Sequence, residues 1–352
     1  MRFLNDKLKR FLTRLSLLFT IFLVFFSGGS FVYFGLASSL IHQVRNLLRR
    51  TYSYELMDIQ LERDYALKYL STLNTKHYSK DLIYEGLSLP SNFDSLNIIA
   101  TQLIEDNPLG DGVVYSKYSA KLNNGFEFSY LDVQSEIVSP KRILIFLHGN
   151  RCSPEELLGL GKSKCADSVA LDLAKAGIRV LIPIKYDMNQ FNYSKEITIS
   201  AAIYGSTFEA LEQMKIKGIY NLYSSSQKPV AIYGFSHGAW QALLAANLNS
   251  FKIYFFHDYL INPKIMNPED LSFYTDYDVG VASIYNYSEA FKNSEDSEVI
   301  VLLGKSSVYT DKNFVESITK KLNDDKVQII YYEGGHYISR DLIKNHVIDR
   351  VW

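Results

Sequence analysis

From Val113 onward the chain repeats one pattern, in which apolar runs of strand length are separated by stretches with helical spacing. A run such as Ile143-Leu144-Ile145-Phe146-Leu147 shows no polar alternation. Its strand must therefore be covered on both faces, and strands of that kind belong to parallel sheets. The spacing predicts strands over 113–120, 126–133, 142–147, 178–184, 229–233, 252–257, 298–303 and 327–332, with helices over 167–176, 197–217, 239–249, 312–323 and 340–350. Strands alternating with helices give an α/β fold: an eight-stranded, mostly parallel sheet with helices on both faces. One irregular insertion, 262–297, is short enough for only a small lid.

Inside this frame, Gly234-Phe235-Ser236-His237-Gly238 lies between a buried strand and a helix rich in small residues. A strand that turns directly into a helix needs residues without side chains beside the turn, and the serine between them is left exposed at a helix N-terminus. That is the nucleophile-elbow pattern, and it points to Ser236 as a nucleophile. Upstream, the strand 143–147 ends in His148-Gly149-Asn150, where the backbone N–H of Asn150, together with that of His237, would form an oxyanion hole for developing negative charge. Downstream, the last strand runs into Gly334-Gly335-His336. Imidazole is neutral near pH 7 and takes up a second proton, which suits His336 as the general base.

These residues, in this order, resemble the α/β-hydrolase superfamily, and within it the dienelactone-hydrolase-like branch and related esterases and peptidases. The resemblance covers residues 113–352. It implies Ser236 as nucleophile, His336 as base, and Asn150 and His237 as oxyanion donors. The family's acid usually follows the penultimate strand, three residues after a glycine, but Gly304-Lys305-Ser306-Ser307 puts a serine there. Two carboxylates are the substitutes. Asp311, further along the same loop, is the first choice, although it also suits a helix N-cap. Asp258, directly after the preceding strand, is the alternative.

Residues 15–41 contain no Asp, Glu, Lys or Arg. As a helix, the apolar stretch 15–36 extends about 33 Å, enough to cross the hydrocarbon core of a bilayer. It is expected to be a retained transmembrane anchor rather than a cleaved signal, since the apolar run resumes after Gly28-Gly29. Basic residues Arg2, Lys7, Lys9, Arg10 and Arg14 precede it and Arg45, Arg49 and Arg50 follow, which favours a cytoplasmic N-terminus and an extracytoplasmic catalytic domain. The expected organisation is a basic segment 1–14, an anchor 15–41, a helical juxtamembrane connector 42–112 and the catalytic domain 113–352.

With 37 basic and 38 acidic side chains, the chain lacks the positive footprint of a nucleic-acid binder. No dinucleotide fingerprint or metal-ligand spacing occurs, so neither cofactor nor catalytic metal is expected. Cys152 and Cys165 are either two free thiols or one disulfide formed in an oxidising compartment. The function expected is a membrane-anchored serine hydrolase that cleaves an ester, or a thioester or amide, through an acyl-enzyme, with a small-molecule or peptide acyl substrate. A serine peptidase is the near alternative. Because Ser307 stands where the acid is expected, a catalytically silent binding or scaffold domain is the distant one.

Overall fold

The computed structural model describes residues 87–149, 152–160, 165–185, 206–224, 228–258, 297–307 and 327–350. The chain divides into two units, Met1–Asn74 and Thr75–Trp352, and the described residues all belong to the second. The apolar segment 15–41, most of the 262–297 insertion and the helix expected over 312–323 lie outside them. Among the described residues no helix is long and apolar enough to cross a membrane.

Nine strands form one sheet: β1 (Ile98–Gly110), β2 (Val113–Leu122), β3 (Glu127–Ser135), β4 (Arg142–Leu147), β5 (Ile178–Pro183), β6 (Val230–Phe235), β7 (Ile253–His257), β8 (Glu298–Gly304) and β9 (Val327–Tyr332). Their spatial order is β1-β2-β3-β5-β4-β6-β7-β8-β9. The first three run antiparallel to their neighbours, and the strands from β5 to β9 are parallel.

The apolar runs behave as expected. Along β4, Ile143, Ile145 and Leu147 enter the core on one face of the sheet, and Leu144 and Phe146 enter the core on the other. Tyr254 and Phe256 of β7 divide from Ile253 and Phe255 in the same way. Each strand thus supplies two cores at once, which is why its sequence does not alternate.

The sheet has one strand more than the eight expected. β1 falls in residues assigned to the connector, so the sheet begins upstream of Val113, and Leu87, Phe93 and Leu96 before it are already buried in the core. The physical reason is exposure. β1 is exposed along most of its length, with Ile99, Leu103 and Ile104 in solvent, and a strand with no buried face carries no period-two signal. The hairpin that joins it to β2 turns at Gly110, Asp111 and Gly112, which all take positive φ, at 90°, 53° and 68°, the backbone that Asp-Gly turns favour.

Helices cover both faces: α1 (Pro154–Leu157), α2 (Val169–Lys175), α3 (Phe208–Ser224), α4 (His237–Leu248) and α5 (Arg340–Ile343), the last continuing as a π-turn over Lys344–Ile348. Nearly every residue of α4 is buried, because it lies between the sheet and α3. α3 runs past Gly218, where the sequence pattern predicted its end. That glycine lets the helix approach the sheet, since a Cβ there would stand 2.5 Å from Leu122 Cδ2.

Candidate active site

The chain goes from β4 to β5 on one side and returns to β6 on the other, so the strand order reverses between β4 and β6. In open α/β sheets the crevice at the carboxyl ends of the strands, at such a reversal, is where ligands bind. His148 and Gly149 follow β4, Ser236 follows β6, Asp258 follows β7, and His336 follows β9 after three residues. Residues far apart in sequence are thereby brought to one edge of one sheet.

Ser236 sits at φ 55° and ψ −125°, a left-handed conformation that costs a non-glycine residue of order 1–3 kcal/mol. The surroundings hold it there. Its amide donates to His257 O on the neighbouring strand at 2.9 Å, and its side chain makes no capping bond to α4. The flanking glycines are required by contact: a Cβ on Gly234 would lie 2.2 Å from Gly238 O, and one on Gly238 would lie 2.1 Å from Leu147 O. Gly149 is constrained from the other side, since its Cβ would meet Ser236 Cβ at 2.8 Å. The loop after β4 therefore packs directly against the candidate nucleophile.

Of the two expected oxyanion donors, Asn150 lies outside the described residues, and His237 is the first residue of α4, next to Ser236. The His237 side chain is committed elsewhere: its Nε2 stands 2.8 Å from Glu209 Oε1 of α3, both side chains being buried. Its contribution to the crevice is thus the backbone amide, at the positive end of the helix dipole. His148 is buried as well. Burial, with the Lys185 ammonium adding to it, pushes its pKa down to about 3, so the ring is neutral and its Nδ1 lies 3.0 Å from Gly149 O.

The His336 ring stacks on Phe235, with centroids 4.5 Å apart and planes at 29°. Since Phe235 precedes Ser236, the imidazole stands over the elbow. Its Nδ1 lies 3.5 Å from Asp258 Oδ2. This is ion-pair distance, long for a hydrogen bond, as resting catalytic contacts often are. Asp258 is fully buried at φ 50°. Its Oδ1 accepts from the Gly304 amide at 2.6 Å and its Oδ2 from the Tyr332 hydroxyl at 2.8 Å. Burial alone would raise this carboxyl. The contacts to His336, His257, the Gly304 amide and Tyr332 outweigh it and hold the pKa below the usual value.

Among the described residues, the carboxylate beside His336 is Asp258. Asp311, to which the loop after β8 pointed first, lies outside the described residues. The penultimate strand still contributes, through its glycine: Gly304 closely approaches the carbonyls of Gly334 and Gly335, each 3.0 Å from where its Cβ would be, and it presents its amide to Asp258. Sequence reasoning missed Tyr332 and His257 altogether. The available signal was a polar His257-Asp258 pair ending an apolar strand, with a tyrosine ending the next but one.

Cys152 and Cys165 are bonded to each other, which resolves the alternative left by the sequence. The bridge joins the loop after β4 to a segment whose Cys165 O and Asp167 N bond to the backbone of Ile338, two residues after His336. Replacing both cysteines by serine opens a loop of sequence separation 13 and is expected to cost about 3 kcal/mol of stability, read as a lower urea midpoint. An unchanged midpoint would mean that the packing of Ile338 alone holds the segment.

Neither a protein-family model nor a curated protein matches the sequence. Among solved structures, a Bacteroides fragilis protein assigned as an acetyl xylan esterase superposes with TM-score 0.54 at 12% identity, over 74% of this chain and 77% of that one. A cold-adapted esterase from an Arctic intertidal metagenomic library gives 0.49 at 15% identity over 70% and 96%. Acetyl xylan esterase 1 from Thermoanaerobacterium gives 0.49 at 13% over 74% and 94%. With its parallel strands, its reversal point and its strained serine between strand and helix, the chain has the α/β-hydrolase fold.

Proposed function

We propose that this chain is a serine hydrolase of carboxylic esters, working through an acyl-enzyme on Ser236, with His336 as base and Asp258 as the acid. The observation that carries the proposal is the buried Asp258 carboxylate beneath an imidazole that itself lies on Phe235, next to the elbow serine. The esterase name of the superposed Bacteroides fragilis structure agrees with it. As Ser236 Oγ attacks the ester carbonyl carbon, His336 Nε2 takes its proton, and Asp258 steadies the imidazolium through Nδ1. Negative charge forms on the former carbonyl oxygen, where the His237 amide and, on the sequence argument, the Asn150 amide receive it. The carbon–oxygen bond to the alcohol then breaks, and the proton on His336 leaves with the alcohol. Water repeats the two steps in the second half, releasing the acid and restoring Ser236.

Asp258 removes the motive for a silent binding domain, which was the missing acid. We also propose that residues 15–41 anchor the chain in a bilayer with the hydrolase domain outside the cytoplasm. The charge-free apolar run, the basic residues before it and the disulfide support this, since disulfides persist in oxidising compartments.

A fluorophosphonate probe tests the central claim. Labelling should fall on the peptide that contains Ser236, and a panel of acyl esters beside peptidyl amides should show turnover of the esters. Labelling elsewhere would refute the assignment, and preference for amides would convert the proposal to a peptidase.

A further inference from the structure

Asp258 is held by more than its base. Tyr332 Oη lies 2.8 Å from Asp258 Oδ2, 2.9 Å from Gly335 O and 2.7 Å from His257 Nε2, and His257 Nδ1 is in hydrogen-bond contact with the Tyr233 hydroxyl. We propose that Tyr233, His257 and Tyr332 form a one-way hydrogen-bond chain that positions the acid of the catalytic triad, with Tyr332 and His257 as positioning residues. This rests on the assignment of Ser236, His336 and Asp258 above.

The direction follows from counting protons. The Tyr332 hydroxyl has one proton, and two of its three neighbours are oxygens of a carboxylate and a carbonyl, which only accept. The proton therefore goes to the oxygens, and His257 Nε2 must donate to the hydroxyl. An imidazole carrying its proton on Nε2 has an acceptor at Nδ1, and the Tyr233 hydroxyl donates there. Every donor points toward Asp258. The His257 ring has to be neutral for this, and burial pushes its pKa down to about 4, against the opposing pull of Asp258.

The three side chains stand on β6, β7 and β9, at the carboxyl ends of adjacent or near-adjacent strands. His257 Nε2 is 3.7 Å from Asp258 Oδ2, so the Tyr332 hydroxyl carries the link between them. With Oδ1 fixed by the Gly304 amide and Oδ2 by Tyr332, the carboxylate plane is set and Oδ2 faces His336. Among the described residues, the titratable groups facing Asp258 are His257 from β7, Tyr332 from β9 and His336 from the loop that follows, with Tyr233 of β6 behind His257. Strand β8 faces it with the Gly304 amide.

The test uses the full chain with p-nitrophenyl acetate and a fluorophosphonate. Tyr332→Phe keeps the ring and removes the bond to a charged group, so kcat should fall roughly ten- to a hundred-fold with little change in KM. The acid limb of the kcat/KM profile should move to higher pH, because a carboxylate relieved of one donor holds the His336 imidazolium more tightly. His257→Gln retains a donor toward Tyr332 and should keep most of the activity, whereas His257→Leu should behave like Tyr332→Phe. An unchanged kcat and pH profile in Tyr332→Phe would overturn the proposal. Should that variant melt early, equal losses in the two His257 variants, measured below their transitions, would overturn it instead. Labelling separates the two levels. If the wild type reacts at Ser236 while Tyr332→Phe is indistinguishable from it, only the chain of donors is refuted; a wild type that does not react at Ser236 refutes the triad as well.

Discussion

Alanine at position 236 is expected to lower kcat on an aryl acetate about a million-fold and to abolish fluorophosphonate labelling. The loss is that large because a triad acts as a unit, and removing the nucleophile leaves only the contribution of the oxyanion donors and of binding. The fold should be indifferent. The substitution removes one oxygen from a half-buried turn, and the backbone constraint at φ 55° is set by the Ser236 amide bond to His257 and by Gly234, Gly238 and Gly149, none of which changes. The stability of Ser236→Ala should stay within about 1 kcal/mol of wild type by urea titration. Full turnover in a well-folded Ser236→Ala would remove the acyl-enzyme from consideration.

The second large effect belongs to the acid. Asp258→Asn should lower kcat up to about ten-thousand-fold with little change in KM, because an amide favours the wrong imidazole tautomer and no longer compensates the imidazolium. The site is poorly suited to an amide. The Gly304 N–H and the Tyr332 O–H both donate to the present carboxylate, and asparagine offers only one accepting oxygen. Stability should change too. The folded carboxyl is held below its usual value, so the stabilisation it gives is present above about pH 4, the unfolded value, and is lost as pH falls through the lower folded one. The Asp258→Asn protein should lack that component of acid sensitivity. Asp311→Asn is the control and should be mild. A severe loss at Asp311 with none at Asp258 would return the acid to the loop after β8, and no loss at either would leave a Ser236–His336 dyad or a silent domain.

Much of this site could be read from sequence because its chemistry sits at strand ends. Ser236 was legible because strand, glycine, serine, glycine and helix follow one another without a gap, and His336 because a glycine pair brings it out of the last strand. The acid was harder. Nothing local distinguishes a catalytic aspartate from one that caps a helix, so sequence alone leaves Asp311 and Asp258 side by side; what the fold adds is that Asp258, at the end of β7, lies beside His336. Tyr332 and His257 were invisible for a related reason: each ends an apolar strand, where a core aromatic is the ordinary expectation. Strands β2 to β9 coincide with the eight expected, and β1 was missed because it is exposed along most of its length.

The Gly304 amide has a consequence for how this chain can change over generations. In this molecule the last residue of β8 reaches the Asp258 carboxylate through one backbone N–H, a group that every residue except proline carries. Gly304 itself is confined by the carbonyls of Gly334 and Gly335, but beyond it the proton path makes no demand on side-chain identity before His336 other than the Tyr332 hydroxyl. With Asp258 as the proposed acid, the stretch that follows Gly304 supplies no member of the triad before His336, and substitutions in it other than at Tyr332 should leave turnover unchanged.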